Sequence, residues 1–357
     1  MRLAVVGAGP IGLGTAMFVQ TCGHAATLWS PSGSVTRDQH SRMQAIGALE
    51  GDFTLTIVSD IAAALDRADA IMFAVPANAH RSLIDAVVPY ISAGQVVVLW
   101  TQSSLSSLYL SKRLAQRGVD VPIAIWSAPL IGGRRTSDRQ VRINTVRPSI
   151  ELAAVPERSG NRVLESCSAL FGARFSRRRA LDAALGGVNS VMHLPQALCN
   201  LTRIEQAESW STMGNTSVSV ARLIDALDQE RLQVAAAFGS EVLTLPQFLQ
   251  RSFTGLPLAA LGEQASLLAQ RLKAGSEGPR TLQTRFIDED VPYGAVPIEA
   301  LGHVARVPTP AHRACIDLFE LLLQRELRQE NRMLAEIELA RRTKSELLGL
   351  FSQGWHE

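Results

Sequence analysis

The sequence predicts an α/β domain built on a doubly wound parallel sheet, followed by an all-helical C-terminal domain. Three observations predict this fold class. An apolar strand-like run, residues 1–6, leads into a glycine-rich turn and a helix of small residues. Further strand-like runs then alternate with helical segments, and from about Ala183 the strand-like runs disappear. The predicted domains are therefore residues 1–183 and residues 184–357.

The N-terminal turn has the pattern G-x-G-x-x-G between the first strand and the first helix. Its residues are Gly7, Gly9, Pro10, Ile11 and Gly12. A second apolar strand at residues 25–29 completes the β-α-β context that distinguishes a dinucleotide site from a glycine-rich turn without a ligand. The glycines let the backbone approach a pyrophosphate, and the free amides at the helix start face its charge. The turn predicts a Rossmann domain, a dinucleotide cofactor and a redox enzyme.

The end of the second strand indicates which dinucleotide is preferred. An NAD site commonly has an acidic residue about twenty residues after the glycine motif, but the strand here ends at Ser30. Ser30 and Ser32 can donate hydrogen bonds to a 2′-phosphate, and Arg37 and Arg42 can supply positive charge. We therefore expect NADP(H) to be preferred over NAD(H). The alternative is an ordinary serine-rich turn with solvated arginines.

The next segments continue the alternation of strands and helices. We expect a helix at 60–68, a strand at 70–75 and a helix that begins at His80. We also expect strands at 95–99 and 121–125, further strands within 142–155, and a helix at 161–171. Residues just past strand ends line the cofactor crevice of an open parallel sheet. Val75, Pro76 and His80 are therefore predicted to contact the cofactor on its nicotinamide side. From Asp317 onward we expect one charged amphipathic helix with a frayed tail.

The composition is that of an ordinary soluble enzyme. The 357 residues carry a formal charge of +2 and are 46% hydrophobic, which predicts no nucleic-acid or membrane partner. No apolar run reaches the roughly 18–20 residues of a membrane span. Four widely spaced cysteines without a C-x-x-C pair favour buried thiols, and the chain shows no metal-ligand cluster, so we expect no metal. Because the chain begins with a core strand, we expect no cleavable signal and a cytoplasmic location.

A polar stripe stands out in the predicted helical domain. Asn189, His193, Gln196 and Asn200 recur at helical spacing in an otherwise apolar segment, so they share one face. Such a stripe must find partners inside the protein or line a wet cleft. Pro195 disfavours helix at the residue before it and predicts a kink there. His193 is suited to proton transfer near neutral pH, the alternative being a structural histidine inside a helix bundle.

A second cluster lies about ninety residues further along the chain. It combines Arg285 with Asp288, Glu289 and Asp290, just before an apolar helix. An arginine is the natural anchor for a substrate carboxylate, and a buried acid can hold the tautomer of a histidine and stabilise its cationic form. The alternative is a capped helix start with solvated acids.

Taken together, these segments resemble the opine dehydrogenases, the octopine and nopaline dehydrogenase family. The resemblance covers the segments 7–12, 75–80, 133–135, 188–193, 228–231, 285–291, 296–298 and 307–310. Val188–His193 and Arg285–Val291 are the specific ones, because generic Rossmann enzymes lack both. Members of this family condense the amine of an amino acid with a 2-oxo acid and reduce the imine with a nicotinamide. The resemblance implies a Rossmann domain and a helical domain, with the active site in the cleft between them.

The resemblance also implies roles for individual residues. His193 matches the catalytic histidine of the family and Asp290 its aspartate partner. Arg285 matches the arginine that holds the carboxylate of the oxo acid. Asn189 is expected within reach of the cofactor or substrate, and Arg134 is a further candidate for binding an anionic group.

The substrates themselves are less defined. Paired arginines at 134 and 135 suit a second carboxylate, as in 2-oxoglutarate, with pyruvate as the simpler oxo acid. Arginine as the amino acid would need acids in its pocket, for which Asp288 and Glu289 are candidates. The helices at 210–227 and 256–272 are expected to contribute to that pocket. A homodimer is expected, because exposed apolar helix faces need cover.

Two other functions stay open. A simple 2-oxo acid reductase of the ketopantoate reductase type usually depends on a lysine general acid, but the lysines here, Lys112, Lys273 and Lys344, lie in no convincing motif. A protein that senses NADP(H) without catalysis would bind nucleotide and show no substrate-dependent oxidation. It would leave the Arg285–Asp290 segment unexplained.

Overall fold

The structure, a computed structural model, describes residues 1–31, 33, 42–100, 104–252 and 277–356. The chain divides into two compact units. The first consists of Met1–Ala184 with Leu348–Glu357, and the second of Leu185–Leu347. The last ten residues, which we expected in the helical domain, thus group with the first unit.

Twelve strands form two sheets among the described residues of the first unit. In chain order they are β1 (Arg2–Val6), β2 (Ala25–Trp29), β3 (Arg42–Gly47), β4 (Gly51–Thr54), β5 (Thr56–Val58), β6 (Ala70–Phe73), β7 (Val96–Trp100), β8 (Ile123–Trp126), β9 (Ile131–Ser137), β10 (Gln140–Val146), β11 (Ile150–Val155) and β12 (Phe175–Arg177). The larger sheet has the order β12-β11-β8-β7-β6-β1-β2-β5. All neighbours in it are parallel except β8 and β11. The doubly wound Rossmann arrangement is therefore confirmed, with its reversal of strand order between β1 and β6.

The central strands of this sheet are apolar along their whole length. Leu3–Val6, Ala70–Phe73 and Val96–Leu99 are buried throughout. A strand covered on both faces needs no polar alternation, as expected for a parallel sheet between helices. This explains why these strands were predictable from short apolar runs.

The smaller sheet has the order β4-β3-β10-β9. It packs against the first helix, where a Cβ at Gly14 would lie 2.7 Å from Cγ2 of Ile131. Strands β3, β4 and β9 were not predicted, because about half of their residues are exposed and none of the three is a continuous apolar run. Only their pairing with one another and with β10 identifies them as parts of one sheet.

The helices are mostly short. They are α1 (Pro10–Thr21), α2 (Ile61–Leu65), α3 (His80–Val87), α4 (Ser106–Ala115), α5 (Gly160–Phe171), α6 (Ala180–Leu185), α7 (Asn189–Leu198), α8 (Leu201–Glu205), α9 (Val218–Ala237), α10 (Leu245–Ser252), α11 (Arg285–Asp288), α12 (Val296–Ala305), α13 (Pro310–Leu323), α14 (Leu327–Glu330), α15 (Arg332–Glu336) and α16 (Lys344–Gln353). Among the described residues, no helix is both long and apolar enough to span a membrane.

The second unit is helical in its described part, apart from one isolated bridge between Ser211 and Glu277. Its core contains a buried ion pair, in which Arg231 donates to the carboxylate of Asp228. Arg231 also donates to the main-chain oxygens of Leu185 and Leu243. The segment 228–231 therefore stabilises the fold, since removing either charged side chain would leave the other one as an unpaired charge in the core.

The last part of the chain is not one helix, contrary to the sequence prediction. Helix α13 ends at Leu323, because the next residue, Gln324, has a φ of +50°. A further left-handed residue, Glu338, precedes the turn at Leu339–Arg341. The tail is not frayed either, because the amide of Trp355 donates to Oγ of Ser111 at 2.9 Å within the first unit.

Candidate active site

The glycine-rich turn of the first unit has the geometry that the motif predicts. Gly7 has a φ of +116°, and a Cβ there would lie 2.6 Å from the oxygen of Ala74. Gly12 packs so closely on the carbonyl of Gly7 that a side chain would collide with it. A Cβ at Gly9, in contrast, would meet nothing within 4 Å. The first and third glycines thus hold the turn together, and the second leaves open space for a ligand.

The start of helix α1 completes an anion site. Pro10 occupies the first turn, no side chain caps the helix, and no acid lies in the first turn. The free amides of that turn are therefore available to a phosphate, and no carboxylate opposes it. On the neighbouring strand the amide of Ala74 donates to Val6 at 2.8 Å, and Val75 and Pro76 follow at this same edge of the sheet. These features fit a dinucleotide.

The residues predicted to select the dinucleotide are described only in part. Ser30 is half-buried at the end of β2, and its carbonyl accepts a hydrogen bond from the amide of Gly33 at 3.0 Å. Arg42 is exposed at the start of β3. Ser32 and Arg37 lie outside the described residues, as does the predicted pocket helix at 256–272.

His80 lies at the start of helix α3, as expected, but its side chain is fully buried. Its Nδ1 is 2.9 Å from Oγ of Ser106. Burial lowers the pKa of His80 to about 4, so the ring is neutral at physiological pH. The side chain has no exposed surface, so contact with a cofactor would have to come from its main chain.

His193 and Asp290, 97 positions apart in the chain, meet in the second unit. Nδ1 of His193 lies 2.7 Å from Oδ2 of Asp290. An ionised carboxylate can only accept, so the hydrogen in this bond belongs to Nδ1. The exposed fractions of the two side chains are 18% and 8%. Nε2 of His193 makes no hydrogen bond to any residue that the structure describes.

The local fold fixes both partners. On helix α7, Val191 and Leu194 are buried on either side of His193 in the sequence. Asp290 is followed by a π-helical turn, Val291–Ala295, in which the amide of Ala295 donates to the carbonyl of Asp290 at 2.9 Å. A side chain at Gly294 would lie 2.7 Å from Cβ of Ser190, so this turn packs closely on α7. Such π-helical turns are frequent at functional sites.

Arg285 lies beside this pair, on the short helix α11. Its Nε is 3.8 Å from Oε2 of Glu289 and 3.9 Å from Oδ2 of Asp290, beyond hydrogen-bonding distance. The side chain is 51% exposed and donates no hydrogen bond to the described residues. The guanidinium is thus oriented by two carboxylates and still able to bind an added anion.

One contact at the site was not predicted. The ring of Phe286 stacks on the imidazole of His193, with centroids 3.8 Å apart and planes 6° apart. No role for Phe286 follows from the sequence, because an aromatic residue next to a charged one carries no specific signal. Its position on α11 became informative only with the neighbouring helix in place.

The polar stripe on α7 divides into two parts. Asn189 is exposed and His193 is paired with Asp290. Gln196 is buried and donates to Oγ1 of Thr216 at 3.1 Å, and Asn200 donates to the carbonyl of Gln196 at 2.8 Å. The second half of the stripe is therefore structural. Pro195 lies inside the helix rather than at its end.

The remaining predicted substrate-binding residues lie in both units. Arg134 is exposed on β9 of the first unit, and its side chain donates no hydrogen bond to the described residues. Arg135 donates to the main-chain oxygens of Ser137 and Asp138. In the second unit, Asp288 is paired with Arg325 at 2.7 Å. The described part of the chain contains no cluster of His, Cys, Asp and Glu that could hold a metal ion.

Two family models match the chain. Residues 176–323 match the α-helical domain of NAD/NADP octopine/nopaline dehydrogenases. Residues 2–112 match the N-terminus of NAD-dependent glycerol-3-phosphate dehydrogenases.

Similar proteins agree with the first of these matches. An opine dehydrogenase of Arthrobacter sp. (strain 1C) is 30% identical over 286 residues, which is 80% of this chain and 79% of the relative. A vitopine synthase of Allorhizobium ampelinum is 25% identical over 324 residues, 88% of each protein.

Two solved structures have the same fold. An octopine dehydrogenase with NADH and L-arginine superposes with a TM-score of 0.78 at 14% identity, over 100% of both chains. A yersinopine dehydrogenase with NADP+ superposes with a TM-score of 0.73 at 15% identity, over 99% of this chain and 98% of that one.

The Rossmann sheet, the helical second unit and the extent of the match to the Arthrobacter enzyme lead to one conclusion. This chain belongs to the opine dehydrogenase family of NAD(P)-dependent oxidoreductases, which act on the CH–NH group of their donors.

Proposed function

We propose that this enzyme condenses the α-amine of an amino acid with a 2-oxo acid and reduces the product to an N-(carboxyalkyl) amino acid, and that it catalyses the reverse oxidation. The observation that carries this proposal is the 2.7 Å bond between His193 and Asp290, with the half-exposed Arg285 beside it. The three side chains offer a proton donor, its carboxylate partner and an anion-binding group at one place.

In this mechanism Arg285 binds the carboxylate of the 2-oxo acid. His193 donates a proton from Nε2 to the carbonyl oxygen while the amine nitrogen attacks the carbonyl carbon, and water leaves as the imine forms. Asp290 keeps the hydrogen on Nδ1 and stabilises the cationic ring. A bound nicotinamide supplies the hydride that reduces the imine carbon. General acid catalysis of this kind contributes about 10²- to 10⁴-fold.

We further propose that NADP(H) is preferred over NAD(H). The support is the end of β2, where Ser30 occupies the place of the acid that would bind a ribose 2′-hydroxyl. Among the similar structures one contains NADH and another NADP+, so the family resemblance leaves this choice to the residues themselves.

A single substitution tests the cofactor preference. Ser30→Asp places a carboxylate where a 2′-phosphate would lie, so we expect kcat/KM for NADPH to fall about tenfold or more while that for NADH is kept or rises. Steady-state kinetics with both cofactors measure this. Equal use of the two cofactors by the unchanged enzyme would contradict the preference.

For the substrates, we propose that Arg134 binds a second carboxylate, since it is exposed and Arg135 is engaged with the main chain. Pyruvate or 2-oxoglutarate is the oxo acid in this proposal, and arginine is the first amino acid to test. Glu289, beside Arg285, is a candidate for binding a basic side chain. Asp288 is the other candidate, and it is already paired with Arg325. The homodimer and the cytoplasmic location stay predictions from the sequence.

The decisive experiment is NADPH oxidation against a panel of 2-oxo acids, each with and without amino acids. Oxidation that requires both substrates is the expected result. Oxidation with an oxo acid alone would indicate a simple reductase, and NADPH binding without any oxidation would indicate a sensor. In the working assay, Arg285→Gln should raise KM for the oxo acid more than KM for NADPH.

A further inference from the structure

The imidazole of His193 is held from two directions within the second unit. Asp290 binds Nδ1 in the plane of the ring, at 2.7 Å. Phe286 covers one face of the ring, with centroids 3.8 Å apart and planes 6° apart. The first contact fixes the hydrogen on Nδ1 but still permits the ring to tilt about that bond. The second contact removes this freedom.

The geometry of the stack is informative in itself. Two neutral aromatic rings prefer an offset or edge-to-face arrangement, with centroids roughly 4.5–7 Å apart. At 3.8 Å and nearly parallel, the rings of His193 and Phe286 lie almost directly over each other. This arrangement is attractive when one ring carries positive charge, because the face of a phenyl ring is electron-rich. The stack therefore holds the plane of the imidazole and is compatible with the cationic ring that the proposed mechanism uses.

Phe286 is itself rigidly placed. Its neighbour Ile287 is fully buried in the core of the second unit, and Thr284 caps α11 by accepting from the amide of Phe286. The ring of Phe286 is half-buried and packs against the same core. Helix α11 and the turn after it thus supply, within six residues, an anion-binding arginine, an aromatic surface and the carboxylate partner.

We propose that Phe286 is a positioning residue. Its aromatic face fixes the plane of the His193 imidazole, so that Nε2 points at the reacting carbonyl oxygen. This role rests on the function proposed above. It predicts that an aromatic ring is required at position 286, whereas apolar volume alone is not sufficient.

Three variants test the role. Phe286→Leu removes the aromatic face and keeps an apolar side chain, and Phe286→Tyr keeps the face. Phe248→Leu is the matched control, since Phe248 is also half-buried against the core of the second unit. We expect Phe286→Leu to lower kcat about tenfold with KM for the oxo acid changed less than twofold. Phe286→Tyr and Phe248→Leu should stay within twofold of the unchanged enzyme.

A kcat of Phe286→Leu within twofold of the unchanged enzyme would overturn the proposal. So would an equal loss in Phe286→Tyr, because that variant retains the ring. A loss of kcat in Phe248→Leu as large as in Phe286→Leu would also overturn it, since the effect would then belong to core packing in general.

Proton NMR separates this proposal from the proposed function. The ring current of Phe286 should shift the carbon-bound ring protons of His193 upfield in the unchanged protein, and Phe286→Leu should abolish the shift. If the unchanged enzyme shows this shift but no tested pair of substrates leads to NADPH oxidation, the proposed function is contradicted and the stacking contact is not. Turnover with both substrates but no such shift would overturn the role of Phe286 alone.

Discussion

Two histidine–carboxylate pairs lie in the described part of the second unit, and their contact distances are the same. Nδ1 of His193 is 2.7 Å from Asp290, and Nδ1 of His312 is 2.7 Å from Glu230. Their surroundings differ. His193 is 18% exposed, whereas His312 is 1% exposed and its Nε2 is buried without a hydrogen-bond partner among the described residues.

The second pair has a different task. Glu230 also accepts hydrogen bonds from the amides of Ala311 and His312, at 2.6 and 3.0 Å, and so closes the start of helix α13. A carboxylate at a helix start satisfies amides that would otherwise lack partners. The same two functional groups thus form the catalytic pair of the proposed function in one place and cap a helix in the other. The two pairs differ in whether Nε2 of the histidine can contact a ligand, because the side chain of His193 is partly exposed and that of His312 is buried.

The largest expected effect is on turnover. His193→Ala should lower kcat about 10²- to 10⁴-fold, because it removes the proposed general acid. The dissociation constant of NADPH should change less than twofold, since no part of this side chain lies in the glycine-rich turn. Single-turnover kinetics and fluorescence titration measure the two quantities. Unchanged turnover would remove His193 from the mechanism.

A smaller loss is expected when the carboxylate of the first pair is neutralised. Asp290→Asn keeps the shape but gives up the charge that stabilises the cationic ring, so kcat should fall about 10²-fold, the lower end of what general acid catalysis contributes. Asp317→Asn is a suitable control, because Asp317 is a half-exposed partner of Arg328 in the same unit. A loss of less than threefold in Asp290→Asn would mean that the pair is structural, like that of His312.

For the second pair the expected effect is on stability. His312→Leu removes the side chain that donates to Glu230, and the free energy of unfolding should fall by about 1–3 kcal/mol. Turnover at 25 °C should stay within twofold. Urea unfolding measures the first quantity, and His303→Gln, at an exposed position on α12, is the control. A loss of kcat comparable to that of His193→Ala would erase the distinction between the two pairs.

The smallest expected effect is on the free energy of unfolding at acidic pH. Burial alone would raise the pKa of Glu230, but the hydrogen bonds from His312 and the two amides outweigh it, and the pKa lies below its ordinary 4.5. A carboxyl whose pKa is lower in the folded state contributes stability above the unfolded value, and this is lost as the pH falls through the folded value. Unfolding free energies below pH 4.5 should therefore fall less steeply in Glu230→Gln. Parallel curves would contradict this.

Much of the fold could be predicted because buried parallel strands leave continuous apolar runs. The strand Ala25–Trp29 and the start of the helix at His80 match the structure at those residues. The break at Gln324 could not be predicted, because it depends on a left-handed conformation at a residue other than glycine.

The candidate site was predictable to a similar degree. The contact between His193 and Asp290 follows the expected pairing. Gln196 lies on the same face of the helix as His193, which is the spacing expected for a residue that lines a cleft. Its side-chain amide is nevertheless buried in the core, where it donates to Thr216. Periodicity identifies a face of a helix, and only the neighbouring helices decide which part of that face is buried. The stack of Phe286 on His193 has no sequence signal for the same reason.

The π-helical turn Val291–Ala295 has a consequence for insertions and deletions. Such a turn contains one residue more than a regular α-helical turn, and each residue of an α-helix advances the chain by about 100°. Deleting one residue between 291 and 295 would therefore restore ordinary helical phase and rotate Asp290 by about that angle relative to helix α12. Every side chain would still be of the right type, but the carboxylate would no longer face His193. The site depends on the length of this segment as much as on its composition.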